Sequence, residues 1–108
     1  MSTSDVVSIE PCGGTVLRIT HRSGLVHETD FAYLLRDSLP DSVFADFTPE
    51  TIQQAEIVDD TVAWHRPEGL VDLAAHVLEE HAETGECVGH CGWQPGDSVV
   101  IRPAESGP

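Results

Sequence analysis

The chain contains no lysine. Its five basic residues are all arginine (Arg18, Arg22, Arg36, Arg66, Arg102), they face 19 acidic residues, and the formal net charge is -14. Such a surface repels phosphate backbones, so direct nucleic-acid binding loses its main electrostatic driving force. Long apolar runs are missing as well, and nothing approaches the roughly 18 to 20 uninterrupted apolar residues that a membrane-crossing helix needs. Met1 to Asp5 shows neither basic residues nor an apolar signal core, which sets the expectation of a cytoplasmic protein without membrane contact. Cysteine is scarce and odd in number: Cys12, Cys87 and Cys91. Without a secretion signal, that count argues against a disulfide scaffold and for free or metal-bound thiols.

What is present is enough for one core. A chain of 108 residues with 40% apolar residues in periodic blocks predicts a single α+β domain over residues 6–102, with residues 1–5 and 103–108 disordered. Two readings of the acidity stay open. In molar salt the Debye length falls to about 3 Å, so dense carboxylates stop repelling one another and keep the surface hydrated. The other reading is an acidic face that docks on a basic partner or imitates a nucleic-acid backbone. The acids are spread along the chain, with Asp59-Asp60 and Glu79-Glu80 the longest contiguous groups, and lysine is absent throughout. Both facts favour salt adaptation.

The periodicity predicts a small, mostly antiparallel sheet, a meander plus a hairpin, with two or three short helices packed on it. Val6 to Ile9, Thr15 to His21 and Leu25 to Thr29 form the meander, separated by turns at Pro11-Cys12-Gly13-Gly14 and Arg22-Ser23-Gly24. Asp30 caps a helix of about two turns carrying Phe31, Leu34, Leu35 and Leu39 and stopped by Pro40. Thr48-Pro49-Glu50 is a second helix start. Glu56 to Val58 and Thr61 to His65 pair across an Asp59-Asp60 turn, with Trp64 a core anchor. Leu70, Leu73, Ala74, Val77, Leu78 and His81 then recur at helical spacing, predicting a helix over 70–83 ended by Gly85. Trp64, Leu73, Val77, Phe31 and Leu35 are expected to pack together. Residues 86–96 read as a loop rich in Cys, Gly and His, and Asp97 to Arg102 as a last strand.

This order of elements resembles a prokaryotic family of small proteins known as domain of unknown function twenty-four forty-two, over Val6 to Leu78. The resemblance rests on Val16-Leu17-Arg18-Ile19, Ser23-Gly24, Asp30-Phe31, Val43-Phe44, Ala55-Glu56-Ile57-Val58-Asp59, Thr61-Val62-Ala63-Trp64, Gly69 and Asp72-Leu73-Ala74. Two departures stand out: His65-Arg66-Pro67 replaces the proline that directly follows the family's tryptophan, and the tail from Glu79 lies outside the pattern. The resemblance implies a small partner or adaptor module, in some members joined to a helix-turn-helix, without a known catalytic site. No functional residue carries over from it.

The most specific chemistry in the sequence is His81, Cys87, His90 and Cys91, four zinc-type ligands that Gly85 and Gly89 would let wrap one ion. The spacing differs from the usual Cys-x2-Cys hairpin, His81 is also expected to face the core, and packing cysteines are the plainer reading. Asp72 with His76 at i, i+4, joined by His65, could form an acid-base group, although a solvated helix face explains the same residues. His21 near Ser23 lacks a nucleophile elbow. Gly13-Gly14-Thr15 lacks the length and lysine of a phosphate loop. Trp64 and Trp93 could form a ligand platform, but a strand tryptophan is more often core. The function favoured is a non-enzymatic interaction module that binds a protein partner or its own copy. A small enzyme and a zinc-stabilised accessory domain are the alternatives.

Overall fold

The computed structural model describes residues 3–36, 47–67, 69–84 and 95–102. The α+β fold expected from periodicity is what it shows, with the strands divided between two antiparallel sheets. The first holds β1 (Val6–Pro11), β2 (Val16–His21), β3 (Val26–Asp30) and β7 (Ser98–Arg102), in the order β1-β2-β3-β7. The second holds β4 (Glu56–Val58), β5 (Thr61–Arg66) and β6 (Gly69–Leu73), in sequence order. The two meet where the Val6 amide donates to the Asp60 carbonyl at 2.8 Å.

Period-2 alternation explains the first sheet. Leu17, Ile19 and His21 on β2 are buried, as are His27 and Thr29 on β3, while the residues between them are half-exposed. The antiparallel register sets buried residues opposite one another, Ile19 against His27 and Leu17 against Thr29. Asp59 and Asp60 both have positive φ (51° and 64°), as a two-residue hairpin matched to strand twist requires, and Asp tolerates that region better than most residues.

Two helix starts follow the sequence. Asp30 Oδ1 accepts from the Ala32 amide at 2.9 Å, leading into the short α1 (Tyr33–Arg36). The expected continuation to Leu39 and Pro40, together with Val43 and Phe44, lies outside the described residues. The Thr48 hydroxyl accepts from the Thr51 amide at 3.2 Å and caps α2 (Pro49–Ile52), with Pro49 in its first turn.

The third helix corrects the sequence reading. Gly69 to Leu73 is strand, and α3 spans Ala75–Thr84. Leu70, Leu73 and Ala74 satisfy helical spacing, but Val71 and Leu73 also alternate, and short apolar runs do not discriminate between the two periods. Pairing with β5 decides the outcome: Val62 to Arg66 present ladder groups that β6 satisfies, in a register running from Val62 opposite Leu73 to Arg66 opposite Gly69. Gly69 holds φ 137°, a value that L side chains rarely adopt, where the chain turns back. The proposed Gly85 cap lies outside the described residues.

Trp64 anchors the core, as its place in a strand suggested. It is 1% exposed, Phe31 and Phe47 meet it edge-on with ring centroids 6.1 and 5.3 Å away, and its Nε1–H donates to the Ile52 carbonyl at 3.2 Å. Val6, Leu17, Ile19, Ile52 and Val62 fill in around it, with Leu78 reaching in from α3. Leu35 and Leu73 pack only at the margin, and Val77 is half-buried outside this cluster, so the five-residue group expected from sequence is reduced to Trp64 and Phe31 at its centre. Among the described residues no helix is long and apolar enough to cross a membrane.

Candidate functional site

The structure brings together a set of residues that sequence reasoning passed over. His21 and His27 are both buried, and their Nε2 atoms lie 2.9 Å apart. His21 Nδ1 is 2.6 Å from the Ser4 carbonyl oxygen, His27 Nδ1 is 2.6 Å from Thr29 Oγ1, and Thr29 Oγ1 is 2.9 Å from Ser98 Oγ. A carbonyl only accepts, so His21 carries its proton on Nδ1. With both rings neutral, His21 Nε2 accepts from His27 Nε2–H, His27 Nδ1 accepts from the Thr29 hydroxyl, and Thr29 accepts from Ser98. All four ring nitrogens of His21 and His27 then have a hydrogen-bond partner.

A single extra proton on the two rings reverses the direction of that chain without breaking it, since the Thr29 and Ser98 hydroxyls can rotate. The cost of that state is buried charge. Desolvation, then the neighbouring His21 and His81, push the His27 pKa down to about 3. The assembly joins β2, β3 and β7 to the chain start. Residues 3–5 take part in hydrogen bonds: the Ser4 and Ser23 hydroxyls donate to Glu79 of α3 at 2.6 and 2.7 Å, the Ser23 amide donates to the Thr3 carbonyl at 2.9 Å, and the Arg22 amide donates to the Asp5 carbonyl at 2.7 Å. The signal for the buried pair was in the sequence, because His21 shares parity with Leu17 and Ile19, and His27 with Leu25 and Phe31.

Of the four proposed zinc ligands, only His81 is described. It is buried on the core side of α3, as expected, and desolvation lowers its pKa despite the opposing effect of Glu80. Cys87, His90 and Cys91 lie outside the described residues, as does Trp93. Among the described residues, no three His, Cys, Asp or Glu side chains converge to hold a metal ion. Cys12 is exposed, with Sγ 3.5 Å from the Glu10 carbonyl oxygen.

The remaining chemical candidates resolve into structural roles. Asp72 and His76 lie on β6 and α3, not on one helix, because the helix starts later than its spacing suggested. Both line an open cleft of about 250 Å³ with Asp5, Asp59 and Asp60, but His65 lies apart and pairs with Glu56 at 3.4 Å. The acid-base group is therefore not assembled. His21 has both ring nitrogens engaged, so it is no base for Ser23. Gln53 occupies the Gly13-Gly14 turn, accepting from the Gly13 amide at 3.0 Å and donating to the Gly14 carbonyl at 2.9 Å.

One surface stands apart from this pattern. Val99, Val100 and Ile101 on β7 are 57%, 38% and 50% exposed, three consecutive large apolar residues. Among the described residues the other exposed large aliphatics are Val7 on β1, Ile57 on β4 and Leu70 on β6, one to a strand. Among the described residues, β7 is paired along one side only, by β3. Comparison with family models, with curated proteins and with solved structures finds no match.

Proposed function

We propose that this chain is a non-enzymatic protein-interaction module that docks by adding a partner strand to β7, and that its acidic surface is an adaptation to a salt-rich cytoplasm. The observation behind the docking reading is that edge. An open strand offers unpaired backbone donors and acceptors, and proteins ordinarily blunt such edges with charge, proline or a cover. Within Ser98–Arg102 the only charged residue is the terminal Arg102, and three of the five residues are large and apolar. Burying each half-exposed aliphatic would contribute on the order of 1 kcal/mol, in addition to backbone pairing. The resemblance to the family of small adaptor-like proteins points the same way.

The test is recovery of partners from the native host by the wild-type chain and by a Val99→Lys/Ile101→Lys variant, with mass spectrometry of both eluates. A stoichiometric partner held by the first and lost by the second is expected. Equal recovery by both would remove β7 from the docking surface.

A zinc-stabilised tail is a second reading: desolvation lowers the His81 pKa, which favours the unprotonated imidazole that zinc takes as a ligand, although its burial also fits a core role. With Cys87, His90 and Cys91 as the other ligands, untagged protein should contain about one zinc per chain. Metal analysis giving a ratio near zero would dismiss it.

A further inference from the structure

We infer that the partner strand on β7 is the β7 of a second copy of this chain, paired antiparallel so that two four-stranded sheets become one continuous sheet. This rests on the docking reading above and goes further by naming the occupant.

Charge selects the strand. A second copy brings another -14, so pairing between copies is least opposed along a strand that carries no acid of its own. Each of the other strands at a sheet edge carries one: Glu10 on β1, Glu56 on β4 and Asp72 on β6. β1 is further occupied by the second sheet, through Val6 and Asp60. β7 reads Ser-Val-Val-Ile-Arg, with no acid inside the strand and Asp97 immediately before it.

An antiparallel two-fold pairing sets the end of one strand beside the start of the other. Arg102 of each copy then lies next to Asp97 of the other, and the valines and isoleucine of the two strands face one another. A parallel pairing would set Arg102 beside Arg102 and Asp97 beside Asp97. The segment is complementary to itself in one orientation only. Its β-branched residues also suit a strand flanked on both sides, which is the environment a central position in an extended sheet supplies.

Sedimentation equilibrium over a wide concentration range in molar potassium chloride tests this, since the Debye length there is about 3 Å and repulsion between copies is screened. The wild type is expected to reach the mass of two chains. Val99→Lys/Ile101→Lys is expected to stay monomeric with an unchanged circular dichroism spectrum, because both positions are exposed and Val99 lies opposite Glu28, which a lysine can pair with. Hydrogen exchange supplies a readout independent of substitution: wild-type amides of residues 98–102 should gain protection as concentration rises, while those of β4 should not. A wild type that remains monomeric at every concentration overturns the self-pairing, and the partner-recovery experiment then still decides the docking reading. A dimer that survives both lysines, or that forms without slowing exchange in residues 98–102, overturns the assignment to β7.

Discussion

His27 shows how one residue can make stability depend on pH. Its pKa falls from 6.5 to about 3 on folding, so between those values the unfolded chain binds a proton that the folded chain refuses. Stability from this group is full above the unfolded value and is lost as pH falls from about 6.5 toward 3, with a ceiling of roughly 5 kcal/mol set by that gap. Acid also relieves repulsion among the surplus negative charges, so the raw melting curve mixes opposite trends. The difference between wild type and His27→Gln isolates the histidine, because glutamine stays neutral. The wild type should lose more stability than the variant between pH 7 and pH 4. Parallel pH profiles would show that His27 titrates without constraint. The position was legible by parity, yet a histidine beside a turn invites a surface reading, and only the register of β2 on β3 shows two imidazoles aimed at each other.

At the scale of elements, the packing of α3 changes which leucine matters. Helical spacing over 70–83 makes Leu73 the central contact, whereas the strand at Gly69–Leu73 leaves it at the margin and gives that place to Leu78, which is 2% exposed. Leu78→Ala should cost about 2 to 5 kcal/mol, as deletions in a packed core do, and Leu70→Ala, at an exposed position, under about 1. Urea titrations with unchanged slopes would check both, and a reversed order would restore the longer helix. The elements that sequence predicted well are those with local chemistry: Thr48-Pro49 starts α2, the Asp59-Asp60 pair turns β4 into β5, and the glycine turns separate the meander. The junction of β7 with β3 joins strands distant in sequence and leaves no local trace, whereas β6 pairs with the strand just before it and was missed because its short apolar run fits both periods. Of the proposed metal ligands only His81 is described, and it bears out its expected burial; Cys87, His90 and Cys91 lie outside the described residues.

For the whole molecule the governing quantity is the excess of acid. The described ion pairs use arginines economically: Arg18 lies 2.7 Å from Glu28 and 3.6 Å from Glu10, and Arg22 is 3.5 Å from Asp5. The Arg66 guanidinium sits over the Phe47 ring, 5.1 Å from its centroid. Exposed pairs contribute roughly 0 to 1 kcal/mol each and weaken in salt, so screening costs the fold only a little here. The repulsive side is larger. Two carboxylates about 10 Å apart in water repel by roughly 0.4 kcal/mol, and a surplus of 14 negative charges on a small surface multiplies that into several kcal/mol at low ionic strength. Raising salt from about 0.01 M to 1 M shortens the Debye length from roughly 30 Å to 3 Å and removes nearly all of it. The melting temperature should therefore climb steadily with potassium chloride toward molar concentrations, and the unfolding rate should fall with it. The measurement is best made on the Val99→Lys/Ile101→Lys variant as well as the wild type, because dimerisation also strengthens in salt and would raise the midpoint in a concentration-dependent way. A rise shared by both chains belongs to the surface as a whole. A midpoint that stays flat in the variant would mean the carboxylates are spaced widely enough to tolerate dilute buffer, and would return the acidity to the reading in which it serves a basic partner.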